Sequence, residues 1–318
     1  MITAAVSDLL LTTNRDAFRS ARVDSPLAGG AREVVFKLPN LRELRVIVNE
    51  ADSLPTLVLP NLTGIDIEYD HIEYDLDVED DCHCGWLQGF RGATLGKLAS
   101  VISHSESYSI GGFLEAFESV ALTTSIPATL SKFEFIAQCS WRPNYRSLLP
   151  FTLLTELVIE FCCGSGCPST IDDDTIADLA RAMLMLEILK LGDSPCKTPG
   201  GVTVKGLAIL AYHSLHLSDL HFQVSTLDPA EIPAIASGGG SVLPREDCAL
   251  TGLGVGDIHV PQESTLMVAL TLVRVFPHLY VICWNYKSWM EIEDALGRSK
   301  QLVDCSSETL VYYTSDWR

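Results

Sequence analysis

Between residues 154 and 191 the apolar and polar positions write out a strand, a helix and a second strand. In Leu154-Thr-Glu-Leu157-Val-Ile159 the apolar residues hold the first, fourth and sixth places, and Leu157 and Ile159 alternate as one buried strand face requires. Asp172, Asp173 and Asp174 then offer carboxylates to the free N–H groups and the positive dipole end of a helix start. Ile176, Leu179, Ala180, Met183 and Leu184 follow at steps of 0, 3, 4, 7 and 8, which is one helical stripe. Leu186, Leu189 and Leu191 restore the strand spacing 32 residues after Leu154.

The same spacing recurs along the chain, with first apolar positions at 41, 62, 98, 130, 154, 186, 217, 250 and 279. A strand-helix unit returning at this interval predicts an α/β leucine-rich-repeat solenoid, with a curved parallel sheet on the concave side and helices on the convex side. Leu-Pro-Asn precedes two of the units, at 38–40 and 59–61, and proline suits the bend that leads into a strand. Further helical stripes run through Phe113, Ala116, Phe117, Val120 and Ala121, through Val204, Leu207, Ala208 and Ala211, and through Leu266, Ala269, Leu270 and Val273. The array is expected to span residues 33–305. Residues 1–32 read as a helix over 2–10 and a polar, irregular segment, the remnant of a preceding repeat. Residues 68–81 read as an acidic insertion, 225–247 as a flexible Pro- and Gly-rich excursion, and 306–318 as a tail.

Charge narrows the class of partner. With 41 acidic against 22 basic residues the net charge is -19, which repels phosphate backbones and anionic lipid and favours basic partners. Nucleic acid and membrane are therefore not expected as ligands. The start of the chain lacks the positive charge of a secretory signal, and no apolar run reaches membrane-spanning length. Ten cysteines spread through a chain of 318 residues fit reduced thiols and an intracellular protein of cytoplasm or nucleus.

Candidate chemistry is sparse. The acidic insertion carries eight carboxylates from Glu68 to Asp81, but a calcium loop starting at Asp75 would need glycine and glutamate where Asp80 and Trp86 stand. Cys82, His83 and Cys84 would crowd a zinc ion and lack a distal pair, so a solvated loop is expected. Cys162, Cys163 and Cys167 read as a strand end and turn. Gly252, Gly254 and Gly256 alternate with Leu253 and Val255, so they read as one strand face rather than a phosphate loop. His213 and His216 straddle a helix end, with His221 beyond, and read as structural rather than as a metal triad. No nucleophile elbow or Gly-Lys-Ser/Thr phosphate loop occurs, so no enzyme, cofactor or metal is expected.

The central and later units, Leu153 to Leu191 and Thr198 to Val224, carry Asp-Asp-Asp-Thr-Ile-Ala-Asp-Leu-Ala-Arg-Ala-Met and Gly-Val-Thr-Val-Lys-Gly-Leu-Ala. In these stretches the chain resembles the leucine-rich-repeat part of fungal F-box proteins. The resemblance implies a substrate-presenting half of a ubiquitin-ligase receptor, with the ligase adaptor and cullin as partners if an F-box equivalent exists. No stretch resembling an F-box is visible in residues 1–32, which are too few for one, and the chain is expected to start inside a longer array. Two other classes compatible with the repeats are a free-standing scaffold and a regulator of a small GTPase. In each unit the leucines are expected to turn inward, leaving Arg45, Asp66, Glu68, Glu134, Glu160, Lys190, His221 and Gln223 on the concave face for a protein partner. The acidic stretch from Asp66 to Glu160 is expected to recognise a basic segment.

Overall fold

A computed structural model describes residues 19–23, 38–48, 61–69, 95–102, 114, 117–119, 126–138, 144–162, 171–192, 201–222, 224, 248–255, 265–279 and 281–283. The helix over 2–10, most of the acidic insertion, the 225–247 excursion and the tail lie outside these residues. The chain divides into two compact units, Met1–Pro168 and Ser169–Arg318. Both are built from parallel strands that neighbour each other in sequence order, and parallel neighbours require a crossover connection between them.

The first unit contains β1 (Ser20–Val23), β2 (Glu43–Val48), β3 (Gly64–Tyr69), β4 (Lys97–Ile102), β5 (Lys132–Gln138) and β6 (Glu156–Cys162). Their ladders are parallel and in register from unit to unit, Leu44 opposite Ile65, Ile65 opposite Leu98, Leu98 opposite Phe133, Phe133 opposite Leu157. These residues are buried, as are Val46, Ile67, Phe135 and Ile159 two places on. Burying a side chain of this size stabilises by about 1.5–3 kcal/mol, so each repeat contributes several such terms to one continuous core. Phenylalanines fill that core where β5 departs from leucine. Phe117 stacks on Phe151 at 4.6 Å and on Phe133 at 5.0 Å. Phe117, from the helical stripe expected over residues 113–121, is buried, as is Leu114, which that stripe did not include.

The second unit contains β7 (Ile188–Leu191), β8 (Asp219–Phe222), β9 (Gly252–Val255) and β10 (Val281–Cys283), again parallel and in register. Among the described residues three helices accompany them: α1 (Asp173–Ala182), α2 (Val204–His213) and α3 (Thr265–Val275). Asp172 is the N-cap of α1, its carboxylate accepting from Thr175 N at 2.8 Å, and Thr203 caps α2 through its hydroxyl. The turns after the helices share one construction. Met183, Ser214 and Phe276 are each buried, and their carbonyls accept from Leu186, Leu217 and Leu279, the first position of the next strand pattern.

Four expectations need correction. Residues 20–23 form a strand parallel to β2, with Ala21 and Val23 in the register of Leu44 and Val46, where an irregular segment was expected. The third repeat begins at Leu95 rather than Leu98. Leu98 stands opposite Ile65 in the second apolar position, and Leu95 is buried in the first. Leu184 lies beyond the end of α1 and is exposed, so the buried stripe is Ile176, Ala177, Leu179, Ala180 and Met183. In α3 the buried residues include Val268, Ala269, Thr271, Leu272 and Val275, whereas Leu270 is exposed; with most positions apolar and the polar Thr271 buried, periodicity alone does not select its face.

Candidate protein-interaction face

Because strand side chains alternate, the residues between the buried positions share the opposite face of each ladder. In the first unit three rows cross β2 to β6 on that face. One row runs Glu43, Gly64, Lys97, Lys132, Glu156; the next Arg45, Asp66, Ala99, Glu134, Val158; the last Ile47, Glu68, Val101, Ile136, Glu160. Arg45 and Asp66 are register neighbours and pair at 3.7 Å between Nε and Oδ2. Lys132 Nζ pairs with Glu156 Oε1 across the β5–β6 ladder. Both pairs are partly exposed, and such pairs contribute only about 0–1 kcal/mol each.

Arg45, Asp66, Glu134 and Glu160 therefore share one sheet face, with Glu68 at the register position between Ile47 and Val101, but the carboxylates do not form an unbroken strip. Ala99 stands between Asp66 and Glu134, Val158 stands opposite Glu134, and Ile136 opposite Glu160. Lys97 and Lys132 occupy the same face and were missed from the sequence, as were Glu43 and Glu156. The period of two carried the signal for three of them, since Glu43 and Lys132 lie two residues before Arg45 and Glu134 and Glu156 lies four before Glu160, whereas Lys97 belongs to the repeat whose start was placed at Leu98.

In the second unit Lys190 and His221 are neighbours in register, and both meet Asp219. Lys190 Nζ lies 3.3 Å from Oδ2, and His221 Nε2 lies 2.9 Å from Oδ1. Burial pushes the Asp219 carboxyl up, but the His221 hydrogen bond and the charges of His221 and Lys190 outweigh it and hold the group below its ordinary value. Gly252 and Gly254 stand opposite Asp219 and His221 on β9. A Cβ at Gly254 would fall 2.2 Å from His221 Nδ1, and one at Gly252 would fall 3.0 Å from Asp219 Oδ1. The glycines thus leave room for the side chains of β8 to lean over β9. Gln223 lies outside the described residues.

His213 closes α2, where burial and the nearby Arg181 charge lower its pKa, while His216 is exposed in the turn before β8. Neither is on the ladder face that carries His221. Among the described residues no group of three His, Cys, Asp or Glu side chains is placed to hold a metal ion, and no helix is long and apolar enough to cross a membrane. Cys248 is buried and not in a disulfide.

Strand-by-strand register, burial of the Leu-x-x-Leu-x-Leu positions and the intervening helices define an α/β leucine-rich-repeat solenoid. No family model and no curated protein matches the chain. Among solved structures it is similar to the crystal structure of the Rad7 and Elc1 complex in yeast, at 14% identity and a TM-score of 0.36, over 90% of this chain and 85% of that chain. At so low a score the repeat assignment rests on the chain's own register and burial.

Proposed function

We propose that this chain is a non-enzymatic recognition scaffold that holds a protein partner on the outer face of its strands, inside the cell. The observation that carries the reading is the in-register face itself. Rows of part-exposed side chains, charged and aliphatic, are presented side by side on a rigid ladder whose other face is buried. Such rows supply area and charge rather than a converging set of reactive groups. The partner is a protein with a basic segment, in keeping with the net charge of -19. The finer proposal, supported by the resemblance in residues 153–191 and 198–224, is that the scaffold is the substrate-binding part of an F-box type ubiquitin-ligase receptor.

The test is affinity capture of the tagged chain from its native cell extract, with mass spectrometry, alongside the Glu134→Lys, Glu160→Lys variant. Co-purification of a ligase adaptor and cullin supports the receptor proposal. Their absence, with other proteins retained in a salt-sensitive way, leaves a free-standing scaffold. Retention that neither salt nor the charge reversal alters overturns recognition through the acidic part of the face.

A further inference from the structure

Four neighbouring positions on β5 and β6 form a small lattice of mixed character. Glu134 stands opposite Val158, and two places further along, Ile136 stands opposite Glu160. Carboxylates therefore hold one diagonal of the square and aliphatic side chains the other, all four partly exposed. Strands lie about 4.8 Å apart and residues two apart on a strand about 6.7 Å apart, so the carboxylate corners are about 8 Å apart. The next row is different. Lys132 is paired with Glu156 there, and Lys97 stands opposite Lys132.

We infer that this square binds an extended peptide segment bearing two cationic side chains separated by one residue. The inference rests on the proposed role of this face in holding a basic partner, and adds the spacing that the face selects. In an extended segment residues i and i+2 project from one side about 6.7 Å apart, close enough to the 8 Å diagonal for flexible arginine or lysine side chains to span it. Their methylene stems cover Val158 and Ile136 while their charged ends meet Glu134 and Glu160, so one side chain satisfies both kinds of corner. Adjacent cations, at i and i+1, point to opposite sides and bring only one to the square. Lys97 and Lys132 bound the square on one side and repel a third cation there, which favours a segment that is neutral or acidic at that end.

The test uses the full chain and two fluorescein-labelled peptides of equal composition, Ser-Thr-Arg-Thr-Arg-Thr-Ser and Ser-Thr-Arg-Arg-Thr-Thr-Ser, followed by fluorescence anisotropy. The spaced peptide is expected to bind about three- to five-fold more tightly than the adjacent one, on the order of the difference made by one partly exposed charge pair. Glu134→Gln and Glu160→Gln each reduce its affinity about three- to five-fold, as loss of one partly exposed charge pair at the upper end of its usual range does. Glu118→Gln, which removes a carboxylate on the helical side of the same unit, leaves affinity unchanged. Thermal unfolding at the wild-type midpoint certifies that the variants are folded. Equal binding of the two peptides, or no binding of either, overturns the inference. If capture of the cellular partner is still lost on Glu134→Lys, Glu160→Lys, the recognition face stands and only the spacing falls. If capture also survives that reversal, both readings fall together.

Discussion

Removing the Asp173 carboxylate tests how one repeat grips the next. Asp173 opens α1, yet its carboxylate serves α2. Oδ1 accepts from Thr203 N at 2.8 Å and from Gly206 N at 3.0 Å, and Oδ2 accepts from the Thr203 hydroxyl at 2.7 Å. A charged group hydrogen-bonded in this way contributes about 1.5–3 kcal/mol per mutational deletion, and its place at the N-terminus of α2 adds about 0.3–1 kcal/mol. Since the three bonds share one side chain they do not sum, and Asp173→Ala is expected to cost about 3 kcal/mol. Gly206 is the complement of this clasp. A Cβ there would fall 2.4 Å from Asp173 Oδ1 and 2.8 Å from Val202 Cγ1. Gly206→Ala is expected to cost about 2 kcal/mol, overpacking outweighing the better helix propensity of alanine. In the double variant the carboxylate clash is gone and only the Val202 contact remains, so the combined loss should fall short of the sum by about 1 kcal/mol or more. Urea unfolding followed by circular dichroism measures all three, and amide hydrogen exchange across residues 204–213 locates the loss. A loss below about 1 kcal/mol for Asp173→Ala, or additivity within about 0.5 kcal/mol, refutes the clasp.

Three further outcomes follow from local geometry. Ser214 and its hydroxyl are fully buried with no hydrogen-bond partner among the described residues, at the turn position held elsewhere by Met183 and Phe276, so Ser214→Ala should leave stability unchanged or raise it by about 1 kcal/mol in urea unfolding. Gly192 has φ of 89° with open space around it, so Gly192→Ala should cost about 1–2 kcal/mol through backbone strain alone, and Gly192→Asn less; equal losses for the two variants would point to packing instead. Asp219 has a depressed carboxyl pKa, so its contribution to stability is present above the ordinary carboxylate range and is lost as pH falls through about 4 and below; stability measured from pH 6 to pH 3 should decline less steeply in Lys190→Met, and identical slopes would refute the coupling.

Much of the repeat architecture was readable because its burial has a short period. Leu154, Leu157 and Ile159 and their equivalents must be apolar whatever the function, so the pattern survives in the sequence. Where a small or polar residue takes one of those places, the pattern breaks. Ala21 stands in register with Leu44, which hid β1. Ser100 stands opposite Ile67, so the third repeat lacks its last apolar residue and was read three positions late. The clasp at Asp173 was only half legible. Three successive aspartates announced a helix start, but nothing local indicates that the second of them bonds a helix 30 residues away. The face was legible in its middle row and incomplete beyond it. His221 and Lys190 follow from strand periodicity, whereas their common partner Asp219, two residues before His221 in the same repeat unit, was not among the expected face residues.

The junctions between repeats explain why the face is free to vary. Thr63, Ser131, Thr155, Ser218 and Thr251 each follow the first apolar position of a strand pattern. Their hydroxyls donate to the carbonyls of Arg42, Gly96, Ser131, Glu187 and Ser218 in the preceding repeat, at 2.9–3.1 Å. The same carbonyls also accept two successive backbone N–H groups, as Arg42 O does from Thr63 and Gly64. Stacking is thus fixed at the beginning of each strand by backbone and short hydroxyl side chains, and along the strand by the buried positions. The outward positions of β5 and β6 carry little of this work: the charged pair of Lys132 with Glu156 is partly exposed and contributes about 0–1 kcal/mol. Glu134, Ile136, Val158 and Glu160 can therefore change with small cost to the ladder, and a variant there that abolishes peptide binding while leaving the unfolding midpoint in place separates recognition from folding.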